Sequence, residues 1–371
     1  MRVAIVGTRG IPLGYSGYET LAEKLSLWLV AQGYRVTVYA HRHMFRERPP
    51  EYRGVKLVYV NGLRGKSTSQ FSTSLLATLH VICRRYQLVF FCNAANGPFG
   101  LLLRLFGKKC IINVDGLEWQ RPKWGPWAKR FFRFGAWCAC RFFHRVVTDA
   151  RAMKEIYQRE FGCSSEEIAY GADILQNPNV EIVRGLGLEP FQYYLIVGRF
   201  IPDNNIDLQV RAFLKSRIQK KLVVVGGAYY RNPYEENIKK AADPRLLFAG
   251  YIHDQEKLNA LYGHAYAYLH GHEFGGTNPA LLRALGCGCC VLALDTVFNR
   301  EVLQDGRFGI LFEKNVDRLQ AALEKADTEP EWAASFRAVA RQRIREAYTW
   351  EKICGQYQAL FEKVAQGKRH D

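Results

Sequence analysis

The chain is short of acid. Its 371 residues hold 35 Asp and Glu against 52 Lys and Arg, a formal net charge of +17. An excess of that sign predicts an anionic partner, with nucleic acid, an anionic lipid surface and phosphorylated small molecules all qualifying. Helix-turn-helix, zinc-finger and RNA-binding signatures are missing, which argues against nucleic acid. No run of 18 or more apolar residues occurs, so no single helix is expected to span a membrane. A signal-peptide pattern is also missing, because residues 2–6 lead straight into a strand. The ten cysteines form no paired set of C-x-x-C motifs, and Cys287-Gly288-Cys289-Cys290 is too tight to give one zinc ion four ligands. Several lie in apolar runs, where Cys acts as a small hydrophobe, and a reducing cytosolic compartment is expected. No D-x-D pair exists to hold a divalent ion.

What the chain does have is alternation. Apolar strand runs at 2–6, 35–40, 55–60, 88–92, 110–114 and 146–149 are separated by helical patterns at 18–31, 72–86, 98–106 and 152–161. A second series places strands at 194–197, 221–225, 245–248, 266–269, 290–293 and 309–312, with a helix over 206–214. A tail helix over 350–365 follows Thr349, a suitable N-cap. Two such series predict two doubly wound α/β domains, 1–170 and 171–345, with 346–371 packing back toward the first.

Ligands on open parallel sheets bind beyond the carboxyl ends of the strands. The candidate residues cluster there: Arg9, Gly17 and Glu19 after the first strand, Asn96 after 88–92, and Asp115 and Glu118 after 110–114. In the second half they are Gly198 and Arg199, Gly226 and Gly227, Tyr251, and the loop 270–279. With two domains facing each other these loops would line one cleft, as a two-substrate enzyme needs. Arg199 is the best fixed cation, since a guanidinium matches phosphate with parallel donors; the alternative is a plain surface arginine. In 270–279 a polar loop with Gly275, Gly276, Thr277 and Asn278 leads to Pro279 in the first turn of a helix. Such a loop presents unpaired amides at the positive end of a helix, a natural phosphate seat, although an ordinary strand-to-helix turn reads the same way. Gly7, Gly10, Gly14 and Gly17 are too many for a plain turn and would let backbone approach a ligand closely. They lack the G-x-G-x-x-G spacing, and the second strand ends in Tyr39-Ala40-His41 without an acid, which argues against an NAD enzyme.

Seven motifs in order carry a resemblance: VGTRGIP at 6–12, GYET at 17–20, NVDGLEW at 113–119, YGAD at 170–173, GRFIP at 198–202, GGTNP at 275–279 and FNRE at 298–301. With them the chain resembles the family 4 glycosyltransferases of the GT-B fold. Within that family it is most similar to the bacterial β-1,4-rhamnosyltransferases that begin rhamnan and capsular chains. The resemblance implies two Rossmann-like domains facing across a cleft, with a nucleotide-sugar donor on the C-terminal domain and an acceptor on the N-terminal one. It implies retention of anomeric configuration, no metal ion and no cofactor beyond the donor, expected to be dTDP-L-rhamnose. The expected acceptor is a GlcNAc-terminated saccharide on a polyprenyl diphosphate. By this resemblance Asp115 lies with the acceptor, placed to orient or deprotonate the attacking hydroxyl, and Arg9, Gly17, Glu19, Asn96 and Glu118 are its neighbours. A salt bridge from Glu118 to Arg121 is the alternative for that carboxylate. Glu273 matches the first glutamate of the family's E-x7-E element and is assigned to the donor sugar or its leaving phosphate.

Two departures matter. Relatives carry a lysine shortly after the position of Arg199, where Asn204 and Asn205 stand here. They also carry a glutamate that accepts from the ribose where this chain has Arg283, a side chain with no acceptor. Either the ribose is held otherwise, or Arg283 contacts phosphate, or donor binding is weakened. A dTDP donor lacks the ribose 2′-hydroxyl and loses least by this change. Another nucleotide sugar (UDP- or GDP-linked), a soluble acceptor, or a non-catalytic binder of nucleotide or anionic lipid stay open at this point.

The positive charge has one conspicuous home. Residues 127–145 read WAKRFFRFGAWCACRFFHR. On a helix, Trp127, Phe131, Phe134, Cys138 and Phe142 share a face, with Lys129, Arg130, Arg133 and Arg141 beside it. That pattern predicts an interfacial helix on an anionic membrane surface, so a cytoplasmic protein held peripherally at the inner face of the plasma membrane. A core helix with solvated cations is the alternative.

Overall fold

A computed structural model describes residues 1–12, 16–65, 68–227 and 233–367. It divides into two compact units, one of Met1–Gln120, Trp124–Tyr170 and Trp350–Asp371, the other of Arg121–Lys123 and Gly171–Thr349.

Along the first unit run β1 (Arg2–Val6), α1 (Gly17–Ala31), β2 (Arg35–His41), β3 (Glu51–Tyr52), β4 (Val55–Val60), α2 (Thr68–Ile82) and β5 (Leu88–Cys92). They are followed by α3 (Phe99–Leu105), β6 (Cys110–Val114), α4 (Pro126–Phe142), β7 (Arg145–Thr148), α5 (Arg151–Phe161) and β8 (Glu166–Glu167). Among the described residues the strands form one sheet in the order β3-β4-β2-β1-β5-β6-β7-β8. Every pair is parallel except β3 with β4. The central strands β1, β5 and β6 are apolar runs buried on both faces, as parallel sheets covered by helices require.

The second unit contains α6 (Val180–Arg184), β9 (Tyr193–Val197), α7 (Ile206–Lys215), β10 (Lys221–Val225), α8 (Pro233–Lys239), β11 (Leu246–Gly250) and α9 (Gln255–Gly263). It continues through β12 (Ala267–His270), α10 (Pro279–Gly286), β13 (Val291–Leu294), α11 (Val297–Leu303), β14 (Ile310–Phe312), α12 (Val316–Thr328) and α13 (Pro330–Ala347). Its sheet, in the order β11-β10-β9-β12-β13-β14, is parallel throughout the described residues. Helix starts follow local chemistry. Asn179, Asp254, Asn278, Thr296 and Asn315 each accept from an amide of the first turn, and Pro126, Pro279 and Pro330 sit where a missing N–H costs nothing. The order reverses between β9 and β12, and the loops after these two strands hold the candidate site. This is the switch point where doubly wound sheets take ligands.

The last helix, α14 (Trp350–Ala365), belongs with the first unit. Its Tyr357 hydroxyl accepts from Asn113 at 2.7 Å, and its buried Tyr357 and Phe361 rings pack on Phe90.

Two sequence expectations are corrected. The absent Cβ of Gly7, at φ +93°, would stand 2.4 Å from the Cys92 carbonyl oxygen, and that of Gly10, at φ +113°, 2.4 Å from the Ala40 Cβ. Both glycines serve close packing inside the first unit rather than a ligand; Gly14 lies outside the described residues. On α4, Cys138 is buried with Gly135, Ala136 and Ala139, and Phe142 is half-buried. The exposed stripe is Trp127, Phe131, Phe134 and Trp137 instead. The hundred-degree projection put Cys138 beside Phe134 because it had no way to know which flank the sheet would cover.

Candidate active site

The loop between β12 and α10 is tied down by side chains from the stretch after β9. Asn204 donates from Nδ2 to the Arg199 carbonyl at 2.8 Å, and its Oδ1 lies 2.9 Å from His272 Nδ1. Asn205 donates to the Gly271 carbonyl at 2.9 Å and to Glu273 Oε2 at 3.2 Å. Gln209, one turn into α7, donates to the Asn204 carbonyl at 2.8 Å and the Asn205 carbonyl at 3.1 Å. Asn205 adopts φ +49°, a left-handed conformation that asparagine tolerates better than most residues. From the far side Asn299 donates to the His272 carbonyl at 3.2 Å.

Glu273 also accepts from Lys314 at 2.6 Å, and its amide donates to the Asp203 carbonyl at 3.1 Å. Gly275, Gly276 and Thr277 are buried, and Asn278 caps α10 by accepting from the Ala280 amide at 2.9 Å. Arg199 is exposed at the end of β9, and Tyr251 is exposed just after β11. Gly226 donates its amide to Gly250 at 2.8 Å, so the ends of β10 and β11 meet beside Gly227. Arg283 is half-buried on α10, close enough for its charge to lower the Tyr262 and Cys287 pKa values against the effect of their burial.

The segment Arg121–Lys123 adds two cations. Arg121 pairs with the fully buried Asp203 at 3.2 Å. In the first unit Glu118 accepts from Trp124 Nε1 at 2.6 Å. Burial, then the charges of Arg121, His270, Arg199 and Lys123, hold the His272 imidazole well below its ordinary pKa. Burial alone pushes His270, paired with the Tyr268 hydroxyl at 3.0 Å, down to about 3.

In the first unit Asp115 is half-buried after β6. It accepts from the Tyr170 hydroxyl at 2.7 Å, and its amide donates to the Tyr18 hydroxyl at 3.1 Å. Arg9 is half-buried, and Gly17 opens α1. Glu19 and Asn96 turn inward, each 1% exposed. Glu19 accepts from the Arg9 amide at 2.8 Å and from the Ser16 hydroxyl, while Asn96 donates to the Cys92 carbonyl at 2.7 Å. These two hold the loops around Arg9 and Gly7 in shape.

Sequence reasoning missed Lys314, Asp203 and Asn299. Only Asn299 carried a signal, through the FNRE motif at 298–301. It also treated Asn204 and Asn205 as a loss of a cation, when they are the hydrogen-bonding link between two strand-end loops.

Residues 182–343 match the family described as glycosyl transferases group 1. The match lies within the second unit. The two doubly wound units are the fold of the GT-B glycosyltransferases. Residues 1–173 match a domain of unknown function, DUF1972. An uncharacterized glycosyltransferase of Methanocaldococcus jannaschii is 26% identical over 176 residues, 45% of this chain and 44% of its own length. The N-acetylgalactosamine-N,N'-diacetylbacillosaminyl-diphospho-undecaprenol 4-alpha-N-acetylgalactosaminyltransferase of Campylobacter jejuni is 27% identical over 172 residues, 45% of this chain and 46% of its own length. The matched stretch is thus less than half of either relative. Among solved structures, a sucrose-phosphate synthase from Thermosynechococcus elongatus superimposes with a TM-score of 0.83 at 18% identity, over 99% of this chain and 100% of that one.

The geometry of the second unit makes two predictions. Arg121→Ala strands the buried Asp203 carboxylate and is expected to destabilise the domain by about 3–5 kcal/mol in denaturant titrations, with Arg121→Lys intermediate. A loss below about 1 kcal/mol contradicts the buried pair. For His270 the unfolded imidazole takes its proton near pH 6.5 and the folded one only near 3. The unfolded chain therefore binds more protons in that window, and stability falls as pH drops from about 6.5 toward 3. Thermal melts of His270→Gln should show a shallower fall over the same range; a parallel fall contradicts the assignment.

Proposed function

We propose that the protein moves L-rhamnose from dTDP-L-rhamnose to a GlcNAc-terminated, polyprenyl-diphosphate-linked acceptor, with retention of configuration and without a metal ion, at the inner face of the plasma membrane. The observation that carries this reading is the loop after β12 in the group 1 domain. There the exposed Arg199, the amides of 275–278 at the positive end of α10 and the Glu273–Lys314 pair share one switch point.

In this reading the leaving diphosphate gains charge as the glycosidic bond breaks, and Arg199 with the loop amides stabilises that charge. Glu273, held by Asn205 and Lys314, faces the donor sugar. Gly226, Gly227 and Tyr251 border the nucleoside. Asp115 orients the acceptor hydroxyl, its own geometry fixed by Tyr170 and Tyr18. Arg283, which cannot accept from a ribose hydroxyl, is compatible with a deoxyribose donor.

The lipid-linked acceptor draws support from the printed name of the Campylobacter relative, whose substrate is a diphospho-undecaprenol saccharide. The membrane surface draws support from α4, where Trp127 is 81% exposed and Phe131, Phe134 and Trp137 are exposed among Arg130, Arg133 and Arg141. The neighbouring α2 and α3 extend the apolar face with Leu76, Leu79, Leu101 and Leu105. No helix among the described residues is long and apolar enough to cross a membrane.

A donor panel with chelator present tests the chemistry. Turnover of dTDP-L-rhamnose on a GlcNAc-diphospho-lipid is expected; transfer only from UDP- or GDP-sugars overturns the donor, and nucleotide binding with no transfer overturns catalysis. Flotation with anionic vesicles tests the surface. Phe131→Glu/Phe134→Glu is expected to lose most of its vesicle recovery, and recovery equal to wild type contradicts the membrane role of α4.

A further inference from the structure

The candidate site contains a ring nitrogen that can only accept a hydrogen bond, in surroundings rich in cations. Asn204 fixes its character. Its Nδ2 is committed to the Arg199 carbonyl at 2.8 Å, so the atom 2.9 Å from His272 Nδ1 is the amide oxygen. An oxygen acceptor there requires the proton on Nδ1. In a neutral ring Nε2 is then a bare lone pair. The ring stays neutral because it is poorly solvated and because Arg121, Lys123 and Arg199 surround it, with His270 also near.

The Nε2 edge faces the glycine loop. A Cβ on Gly275, at φ +156°, would stand 2.8 Å from Nε2 and 3.7 Å from an Arg121 terminal nitrogen. Glycine at 275 thus leaves room for a ligand atom beside that lone pair, where any larger residue would fill it. Among the described residues no group donates to Nε2.

A phosphate has only acceptors to offer, so this lone pair has no use for the diphosphate itself. A hydroxyl has a proton to give. We infer that His272 Nε2 accepts a hydrogen bond from a hydroxyl of the donor's sugar and thereby selects among nucleotide sugars. Arg199 and the loop amides hold the diphosphate, while His272, adjacent in sequence to Glu273, reads the group attached to it. The inference rests on the nucleotide-sugar reading above and assigns the sugar contact within it.

The test is calorimetric binding to the full chain. For His272→Ala, affinity for dTDP-L-rhamnose is expected to fall about ten- to hundredfold, while affinity for dTDP stays within about twofold of wild type. His272→Gln, which keeps an acceptor, recovers part of the loss. Donors deoxygenated at C2, C3 and C4 of the rhamnose identify the partner. One of them should bind wild type as weakly as His272→Ala binds the intact donor, and should lose nothing further in the variant. An equal loss for dTDP alone overturns the inference in favour of a nucleotide or structural role. Independent, additive losses for all three analogues overturn it as well. If wild type binds UDP-glucose and UDP but no dTDP compound, the rhamnose reading fails while the same comparison between UDP-glucose and UDP still decides the role of His272. No binding of any nucleotide sugar overturns both.

Discussion

Asn204 and Asn205 join the end of β9 to the loop after β12, and the candidate site takes its shape from those hydrogen bonds. The first asparagine spans the Arg199 carbonyl and the His272 ring, and the second spans the Gly271 carbonyl and the Glu273 carboxylate. Gln209 secures both from the first turns of α7. A lysine at 204 would bring a charge but could not accept from His272 while donating to a carbonyl. The chain has exchanged a mobile cation for a fixed link and draws its cations from Arg199, Arg121 and Lys314.

The first unit solves a different problem, that of presenting a carboxylate without losing its orientation. Tyr170 donates to Asp115, and Tyr18 receives its amide. Both hydroxyls are buried, and burial together with the neighbouring Asp115 charge raises their pKa values well above the ordinary range. They therefore remain protonated, neutral partners for Asp115 at any physiological pH. Glu19 and Asn96 spend their polar atoms inside the fold, and α14 closes the sheet through Tyr357 and Asn113.

Much of this was legible in the sequence. Apolar runs with β-branched residues marked the central strands of both sheets, and the polar glycine stretches marked the loops that follow them. The hidden part depended on distances along the chain. Nothing near Arg121 announces that its partner is Asp203, or that residues 121–123 belong with the second unit. Nor does Lys314, exposed after β14, signal Glu273, which lies 41 residues earlier. Gly7 and Gly10 misled because a glycine required by a neighbouring strand has the same letter as one required by a ligand. Cys138 misled because periodicity gives the angle between side chains but not which of them face the sheet. The helices of 316–347 went unread, although their apolar positions, such as Leu319, Leu323 and Ala340, are buried against the second sheet and its helices.

The central claim is that the loop between β12 and α10 seats a nucleoside diphosphate. Amide hydrogen exchange, followed by mass spectrometry with and without saturating dTDP, tests it most directly. The account predicts slowed exchange across 271–280 and at the end of β9 around Arg199. Unchanged exchange in both segments, with protection elsewhere or nowhere, would contradict it.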